Sequence, residues 1–308
     1  MSHMAELPSP KRLAEFIDPL RVKPGTRVRL PQDFNPGFTA GMEEGPPVDA
    51  LMREGVELLA EYQARMAAQD TYALLVVLQG MDGSGKDGTI KHVMSGVNPQ
   101  GVEVHSFKAP SAEELDHDFL WRHGKALPER GHIGIFNRSH YEEVLVVRVH
   151  PEILDHQQLP PETKGSGIWR RRFRDINGWE RFLVDQGIRI VKLFLNVSKD
   201  EQRRRFLERI DEPDKNWKFA VGDIKERAAW DAYQRAYADV LSRTSTSWAP
   251  WYVIPADHKW FAHLAAAAVI GRALYEIDPH YPKLNPDARA ALAEARAQLV
   301  SETGPGGH

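Results

Sequence analysis

The chain of 308 residues contains no cysteine. This absence excludes a disulfide framework, a thiolate metal site and a cysteine nucleophile, and it fits a reducing cytoplasm, where we expect the protein to be located. The chain also lacks an apolar run near the roughly 18 residues of a membrane helix, and it has no signal-peptide pattern. We therefore expect no membrane association.

The chain has no overall excess of positive charge either, since its formal net charge is −3. This balance argues against a nucleic-acid coat protein, and we expect no nucleic-acid partner. The charge is uneven, however, because residues 164–243 contain 19 Lys and Arg against 13 Asp and Glu. One basic stretch in an acidic protein predicts a focused anionic ligand.

No internal repeat is present, and apolar runs alternate with helical patterns along the chain. The strand candidates are residues 72–78, 102–107, 133–136, 188–197 and 251–254. The helix candidates are residues 48–68, 89–94, 111–124, 141–147, 169–186, 260–275 and two further helices starting near 198 and 285. This alternation predicts an α/β protein with an open parallel sheet and helices on both faces, and such sheets bind ligands beyond the carboxyl ends of their strands.

Composition divides the chain into three parts. Residues 1–47 are rich in Pro, Gly and charge and predict an extended arm laid over the domain, with residues 1–4 having the form of a cloning remnant. Residues 48–282 form the predicted α/β domain. Residues 283–308 predict a C-terminal helix, begun by Asn285 and Pro286, and a disordered tail.

The segment after the first predicted strand, residues 80–89, has the pattern G-x-x-x-x-G-K followed by a helical pattern. A strand before the pattern and a helix after it favour a phosphate-binding loop, in which backbone N–H groups and the lysine surround an anion. The alternative is a glycine-rich turn with a surface lysine. We call this segment the phosphate loop. The expected phosphate-binding residues are Gly83, Ser84, Gly85, Lys86, Asp87, Gly88 and Thr89.

The phosphate loop departs from the usual pattern at two carboxylates. Asp87 stands where a Ser or Thr normally binds magnesium, and the next hydroxyl is Thr89. Asp82 lies inside a loop built to hold phosphates, where its charge is costly unless a metal or a proton intervenes. Asp82 is therefore a candidate Mg²⁺ ligand or acceptor-positioning residue, the alternative being a turn former.

The segment after the third predicted strand begins with Asn137 where a Walker B acid is expected. Arg138 follows and could bind a phosphate with two parallel hydrogen bonds. Glu142, one turn later, could supply the missing carboxylate to a metal. The alternative is an ordinary helix start with Asn137 or Ser139 as the N-cap.

The basic stretch predicts a lid at about residues 209–223. Arg205 and Arg209 are four residues apart and share a helix face. The polar segment that follows carries Lys215 and Lys218, which could close over an anion. The alternative is a solvated surface loop. The 13 histidines show no metal-binding spacing.

As a set, the motifs GMDGSGKDGTI (80–90), FNRSHYEEVLVVRVH (136–150), INGWERFLVDQGI (176–188), FLNVSKDEQRRRFLERI (194–210) and DKNWKF (214–219) closely resemble the family 2 polyphosphate kinases. The resemblance covers about residues 21–282. It implies a thymidylate-kinase-like three-layer P-loop kinase fold with a helical lid. It also implies inorganic polyphosphate as donor, the purine nucleotides AMP, ADP and ATP as partners, and Mg²⁺, or Mn²⁺ in its place, as cofactor.

The resemblance also assigns roles to residues. The family's loop aspartate and lysine match Asp82 and Lys86, its second motif matches Asn137 and Arg138, and its helix arginine matches Arg205 or Arg209. Many members have Asp in place of Asn137, and the Asn form followed by H-Y-E resembles the subgroup that accepts both AMP and ADP. That departure leaves Glu142 as the candidate metal carboxylate.

We therefore predict an enzyme, a homo-oligomer of two or four chains, that transfers the terminal phosphate of polyphosphate reversibly to AMP or ADP. The alternatives are an ATP-dependent kinase on the same fold and a non-catalytic phosphate-binding module. The predicted catalytic residues are Asp82, Lys86, Asn137, Arg138 and Arg209, the metal ligands are Asp82 and Glu142, and the polyphosphate-binding residues beyond the phosphate loop are Arg205, Lys215 and Lys218.

Overall fold

The apolar run at Ala73–Gln79 forms the central strand, β1, of the sheet in the computed structural model, which describes residues 10–302 and the side chains of residues 13–302. The other strands are β2 (Val102–Ser106), β3 (Ile133–Asn137), β4 (Ile188–Asn196) and β5 (Trp251–Pro255). These five strands pair in parallel with one another, in the order β2-β3-β1-β4-β5. The five predicted strands and the α/β sheet are confirmed.

Helices cover both faces of the sheet, since each helical stretch returns the chain to the amino end of the next strand. The helices are α1 (Pro10–Ile17), α2 (Pro46–Gln69), α3 (Lys86–Val93), α4 (Ala112–Leu115), α5 (Trp121–Gly124), α6 (Val146–Val149), α7 (Glu152–His156), α8 (Ile168–Asp185), α9 (Lys199–Asp211), α10 (Gly222–Ala228), α11 (Trp230–Thr244), α12 (Lys259–Ile277) and α13 (Pro286–Glu302). Short 3₁₀ helices cover Asp18–Leu20, Pro99–Gly101, His140–Val144, Pro161–Thr163 and Pro213–Lys218.

The helices form two layers around the sheet. On one side α12 packs against α1, α2 and α3, and on the other side α11 packs against α6 and α8. The layers enclose one large apolar core, in which β1 is buried along its whole length. This is the predicted three-layer arrangement. No helix between residues 10 and 302 has the length and apolar character needed to cross a bilayer.

The strand register places the two predicted site segments side by side. Leu78 of β1 lies opposite Asn137 of β3, and Gln79 lies opposite Phe194 of β4. Because parallel strands end at the same edge, the phosphate loop and the segment after β3 leave the sheet as neighbours.

Two predicted helices are wrong in their extent. The Ser111–Glu114 capping box is present, but the helix that it opens ends at Leu115. The Asp118 carboxylate then accepts a hydrogen bond from the Leu120 N–H, a local turn that competes with a continuous helix. The helix predicted over residues 141–147 is a 3₁₀ helix followed by α6, with non-helical backbone angles at Leu145 between them.

The predicted extended arm contains a helix, α1, and its continuation joins the sheet. Ile17 and Val22 are buried, and the Val22 N–H donates to the Trp251 carbonyl at 2.9 Å. The helix forms because its apolar face packs on α12, with the Phe16 and Phe261 ring centroids 5.8 Å apart. Residues 1–9, including the possible cloning remnant, lie outside the described residues.

The predicted C-terminal helix is α13. The Asn285 side chain accepts from the Ala288 N–H at 2.8 Å, which is the expected N-cap. All but one of its residues are exposed, and none is buried. The tail predicted after it, residues 303–308, lies outside the described residues.

Candidate active site

The phosphate loop connects β1 to the amino end of α3 and has its shape because of glycine. At Gly80, a Cβ atom would lie 2.6 Å from the Ser84 hydroxyl and 3.0 Å from the Leu195 carbonyl oxygen. Gly83 has a φ of +82°, and a Cβ atom there would lie 3.1 Å from the Phe206 ring. Larger residues would push the loop away from β4 and α9, so the glycines set its path.

Lys86 is the first residue of α3 and turns back over the loop. Its Nζ atom donates to the carbonyls of Gly80 at 2.6 Å and Met81 at 3.3 Å. Burial and the nearby Arg138 guanidinium lower the pKa of Lys86, against the opposing charges of Asp82 and Glu142. The lysine is thus fixed at the helix N-terminus, a position at which backbone N–H groups can bind an anion.

Arg138 connects the segment after β3 to the phosphate loop. Its Nη2 atom donates to the Asp82 carboxylate at 2.6 Å, and its Nη1 atom lies 3.7 Å from Glu142. Burial opposes the charge of Arg138, but Glu142 and Asp82 outweigh it and raise its pKa. The φ of +62° at Arg138 is rare for a residue with a side chain. That backbone angle turns the guanidinium toward the loop, which is the kind of strain found at functional sites.

Asp82 and Glu142 therefore lie on either side of one guanidinium. Burial raises the pKa of Glu142, although Arg138 and Lys86 oppose the rise. No group of three or more His, Cys, Asp or Glu suited to hold a metal occurs among residues 10–302. Two carboxylates are nevertheless the donor set that Mg²⁺ uses when substrate phosphates and water complete its shell, so the residues fit such an ion.

The two residues that depart from the usual phosphate-loop pattern contact each other. The Asn137 amide donates to the Asp87 carboxylate at 2.7 Å and lies 3.5 Å from the Ser106 hydroxyl. Asp87 is therefore held at the amino end of α3, where its negative charge is favourable. Asn137 is an internal hydrogen-bond donor here rather than a free Walker B acid.

The two hydroxyls of the loop point in different directions. The Thr89 hydroxyl donates to the Gly85 carbonyl at 3.1 Å inside its own helix. The Ser84 hydroxyl is buried without a protein partner. An unpaired buried hydroxyl in an anion-binding loop is available to a bound phosphate oxygen, whereas Thr89 is already used.

Arg205 lies beneath the phosphate loop, and this placement corrects the expected phosphate contact. Its Nη1 atom donates to the carbonyls of Gly83 (2.9 Å) and Ser84 (3.0 Å), and its Nε atom donates to Glu201 (2.7 Å). Its Nη2 atom donates to two further carbonyls, those of residues 256 and 257. Since all five N–H groups of the guanidinium are used, Arg205 holds the loop from below.

The predicted lid segment, residues 209–223, consists of the end of α9, the 3₁₀ helix Pro213–Lys218 and the start of α10. The Lys215 ammonium lies 2.5 Å from Glu208 and 2.6 Å from Glu212, so its charge is neutralised in this conformation. Lys218 instead lies 5.1 Å over the ring of the exposed Trp217.

Arg209, also in this segment, lies 3.9 Å from the Asp223 carboxylate and over the Phe206 ring. The lysines and Arg209 are thus at the outer end of α9, one turn or more beyond Arg205. The structure brings Asp82, Lys86, Arg138 and Glu142 together, and it does not join the lid lysines to them.

Sequence reasoning missed a buried glutamine behind the loop. The Gln202 amide donates to the Asp82 carbonyl at 2.7 Å, and its oxygen accepts from Arg227 at 2.9 Å. Gln202 precedes Arg205 by three residues and shares its helix face. That spacing was the available signal, and both side chains support the phosphate loop from α9.

A buried ion pair behind the Arg138 segment was missed as well. Lys192 of β4 contacts Glu180 of α8 at 2.6 Å, and both side chains are fully buried. The Tyr141 hydroxyl donates to Glu180 at 2.7 Å. Burial alone would raise the pKa of Glu180, but the charge of Lys192 and the neighbouring His140 side chain hold it below its usual value. Tyr141 lies between Arg138 and Glu142 in the sequence. Its hydrogen bond to Glu180 therefore anchors the segment that carries these two residues to the core.

A glycine-shaped loop at a helix N-terminus, a half-buried lysine, and an arginine held between two carboxylates define a P-loop phosphotransferase. The sequence model of the family described as polyphosphate kinase 2 matches residues 48–281. The chain belongs to this family. The motifs named in the sequence analysis, which run from residue 80 to residue 219, all lie inside the matched region.

The chain is similar to two curated relatives and to one solved structure over most of its length. It is 51% identical over 251 residues to the ADP-polyphosphate phosphotransferase of Rhodopseudomonas palustris, covering 81% of this chain and 87% of that protein. It is 43% identical over 267 residues to the AMP/ADP-polyphosphate phosphotransferase of Meiothermus ruber, covering 85% of this chain and 94% of that protein. The crystal structure of polyphosphate kinase 2 from Arthrobacter aurescens superposes with a TM-score of 0.79 at 39% identity, covering 90% and 95%.

Proposed function

We propose that the protein transfers the terminal phosphate of inorganic polyphosphate reversibly to AMP and ADP, giving ADP and ATP. The observation that carries the proposal is the Arg138 guanidinium, which lies between Asp82 and Glu142 beside Lys86. A protein that only binds phosphate has no need of two carboxylates beside the lysine and arginine that hold the phosphate. The names of the relatives from Rhodopseudomonas palustris and Meiothermus ruber support the same donor and the same acceptors.

The terminal phosphates of the polyphosphate donor bind at the phosphate loop. Their oxygens accept from the backbone N–H groups at the start of α3 and from Lys86. Phosphoryl transfer needs positioning and charge neutralisation rather than covalent help from the protein. Lys86 and Arg138 supply positive charge on the two sides of the migrating group, where charge develops in the transition state.

We propose that Mg²⁺, or Mn²⁺ in its place, is held by Asp82 and Glu142. A metal held by these two carboxylates would neutralise phosphate charge and help to orient the substrates. The Asp82 carboxylate pairs with Arg138, and this pairing limits repulsion between Asp82 and incoming phosphates. We also propose that the protein is cytoplasmic and that it forms a homo-oligomer. Light scattering after size-exclusion chromatography measures the number of chains in the oligomer.

The decisive experiment supplies AMP and ADP separately with polyphosphate and Mg²⁺ and separates the products by nucleotide chromatography. ADP from AMP and ATP from ADP are expected without any added nucleoside triphosphate. The matched control supplies ATP and no polyphosphate. Phosphorylation only in the ATP control would assign the protein to the ATP-dependent kinases on this fold, and no transfer in either would leave a binding module.

A further inference from the structure

Helix α9 contacts both the phosphate loop and the lid segment. Its three buried residues are Gln202, Arg205 and Phe206. The hydrogen bonds of Arg205 go to the loop and to neighbouring groups of the core, whereas Gln202 and Phe206 each make one contact with the loop and a second on the lid side. These two side chains therefore form a physical connection between the loop that surrounds the phosphate and the segment predicted to close over it.

Gln202 uses both ends of its side-chain amide. The Nε2 atom donates to the Asp82 carbonyl in the phosphate loop at 2.7 Å, and the Oε1 atom accepts from the Arg227 Nη1 atom at 2.9 Å. Arg227 lies on α10, which begins inside the lid segment, and it also donates to the Lys199 carbonyl at 2.7 Å. Because Gln202 is only 1% exposed, water does not compete for its bonds, and a shift of α10 is passed to the backbone of Asp82.

The chemistry of an amide suits this position. The Asp82 carbonyl can only accept and the Arg227 guanidinium can only donate, so a group that bridges them needs a donor and an acceptor at opposite ends. Support of the loop alone needs only a donor, as Arg205 shows with its bonds to two loop carbonyls. The Gln202 side chain thus fits a connection between loop and lid better than a simple prop under the loop.

Phe206 makes the second connection through packing. A Cβ atom at Gly83 would lie only 3.1 Å from its ring, so the backbone of the loop rests directly on Phe206. The same ring meets Phe219 of the lid segment edge to face, with centroids 5.9 Å apart, and the Arg209 guanidinium lies 5.6 Å over it. Because closely packed side chains transmit displacement, a movement of the lid segment changes what supports Gly83.

We propose that Gln202 and Phe206 are positioning residues that couple the lid segment to the phosphate loop. They act through the backbone of residues 82 and 83 rather than on the substrate itself. When the lid segment holds the donor, α10 is fixed, and Gln202 passes that position to Asp82, whose carboxylate pairs with Arg138. The placement of the loop thus depends on the placement of the lid. This inference rests on the proposed function for its kinetic readout alone.

The test breaks the hydrogen-bonded connection at each of its ends. Gln202→Met keeps the length of the side chain but loses both hydrogen bonds, whereas Arg227→Met breaks the bond on the lid side only. The double variant Gln202→Met/Arg227→Met breaks no further bond between α10 and the loop. Gln298→Met, the same change at an exposed glutamine of α13, is the matched control.

The kinetic readout is the pattern of kcat values with polyphosphate and ADP. Arg227→Met should lower kcat about tenfold, the size of one lost hydrogen bond, and leave the KM for ADP unchanged. Gln202→Met should lower kcat by the same factor or more. The double variant should be no slower than Gln202→Met, because the connection is already broken there. Residues that act independently would instead multiply their losses.

Amide hydrogen exchange reads the coupling without any phosphate transfer. Tripolyphosphate without nucleotide, at a concentration that saturates each protein by calorimetry, should slow exchange in residues 80–88 and in residues 213–228 of the wild type. In Gln202→Met and Arg227→Met the slowing should persist in the loop and fall by at least about half in residues 213–228. Phe219→Leu, which loosens the Phe206 contact from the lid side, should do the same. A glutamine with only a structural role would change the unfolding midpoint and not this protection.

Multiplied kcat losses in the double variant, an equal loss in Gln298→Met, or full protection of residues 213–228 in the variants would overturn the proposal, as would a wild type whose lid gains no protection. Should Gln202→Met fail to fold, the half-exposed Arg227→Met decides. If the wild type transfers no phosphate but the exchange pattern is as expected, only the proposed activity fails. If transfer is normal and the protection is the same in all proteins, only the coupling fails.

Discussion

The Asn137 side-chain amide donates a 2.7 Å hydrogen bond to the Asp87 carboxylate, 50 residues earlier in the chain. An aspartate at position 137 would place two carboxylates at this distance, and like charges so close cannot both stay ionised without cost. The identity of one residue thus depends on the other. The amide allows the protein to keep a carboxylate directly after the phosphate-loop lysine.

Exchanging these two residues tests the relationship. Asn137→Asp should destabilise the protein by about 1.5–3 kcal/mol, the size of a hydrogen bond to a charged group, with repulsion added. The double exchange Asp87→Asn/Asn137→Asp should recover most of the loss, because donor and acceptor are only interchanged. Urea unfolding at neutral pH measures both free energies. A double variant whose loss equals the sum of the two single losses would show that the residues are not coupled.

Lys86→Ala should lower kcat by about 10²–10³ and leave the fold intact, because the ammonium acts on charge that develops in the transition state. The lost hydrogen bonds to two loop carbonyls should cost little stability, since water can replace the donor. Lys91→Ala, an exposed lysine of the same helix, is the matched control. Steady-state transfer and a thermal unfolding curve are measured for both. Near-normal turnover of a folded Lys86→Ala protein would remove the lysine from the mechanism.

Glu142→Gln should raise the Mg²⁺ concentration needed for half-maximal activity by at least about tenfold, since loss of a group that orients a metal commonly costs that much. The amide keeps the shape of the side chain but not its charge. Glu54→Gln, exposed on α2, serves as the control. Activity is titrated with Mg²⁺ at saturating substrates. An unchanged Mg²⁺ midpoint would assign Glu142 to holding Arg138 alone.

The lid lysines should differ from each other. Lys218 has no carboxylate partner among the described residues, whereas Lys215 is neutralised by Glu208 and Glu212. Lys218→Ala should therefore raise the KM for polyphosphate more than Lys215→Ala does, with a smaller change for ADP. Because exposed charges are screened beyond about 8 Å at physiological salt, the effect requires near contact. Equal effects would mean that the lid opens the Lys215 pairs before it closes on the donor.

Acid should destabilise the protein through His123, which is fully buried. Burial, with smaller contributions from His140 and Arg122, lowers the pKa of His123 to about 2, so the folded chain keeps it neutral. The unfolded chain protonates this histidine below about pH 6.5, so stability falls as the pH falls, by up to about 1.4 kcal/mol per pH unit. His123→Gln keeps a donor for the Phe119 carbonyl and should flatten the loss between pH 7 and pH 5. If the urea midpoint fell by the same amount between pH 7 and pH 5 in the wild type and in His123→Gln, this prediction would be contradicted.

The sequence by itself determined the strands, the sheet edge at which the site lies, and the phosphate loop. These features depend on consecutive residues: β1 is a continuous apolar run, and the loop contains glycines where a Cβ atom would clash. The Ser111 and Ser198 caps follow the same rule, because each hydroxyl binds a backbone N–H only three residues away. Local hydrogen bonds and local steric clashes can be predicted from a few consecutive residues.

Only the tertiary structure decided what the long polar side chains contact. The run Arg203-Arg204-Arg205 does not reveal that Arg205 is the buried one, because which helix face is covered depends on the packing of α9 against the phosphate loop. The same holds for Glu180 and Lys192, which lie on different elements and meet under Tyr141. A charge on a flexible side chain can reach several partners, and the fold selects one by burying the charge together with that partner.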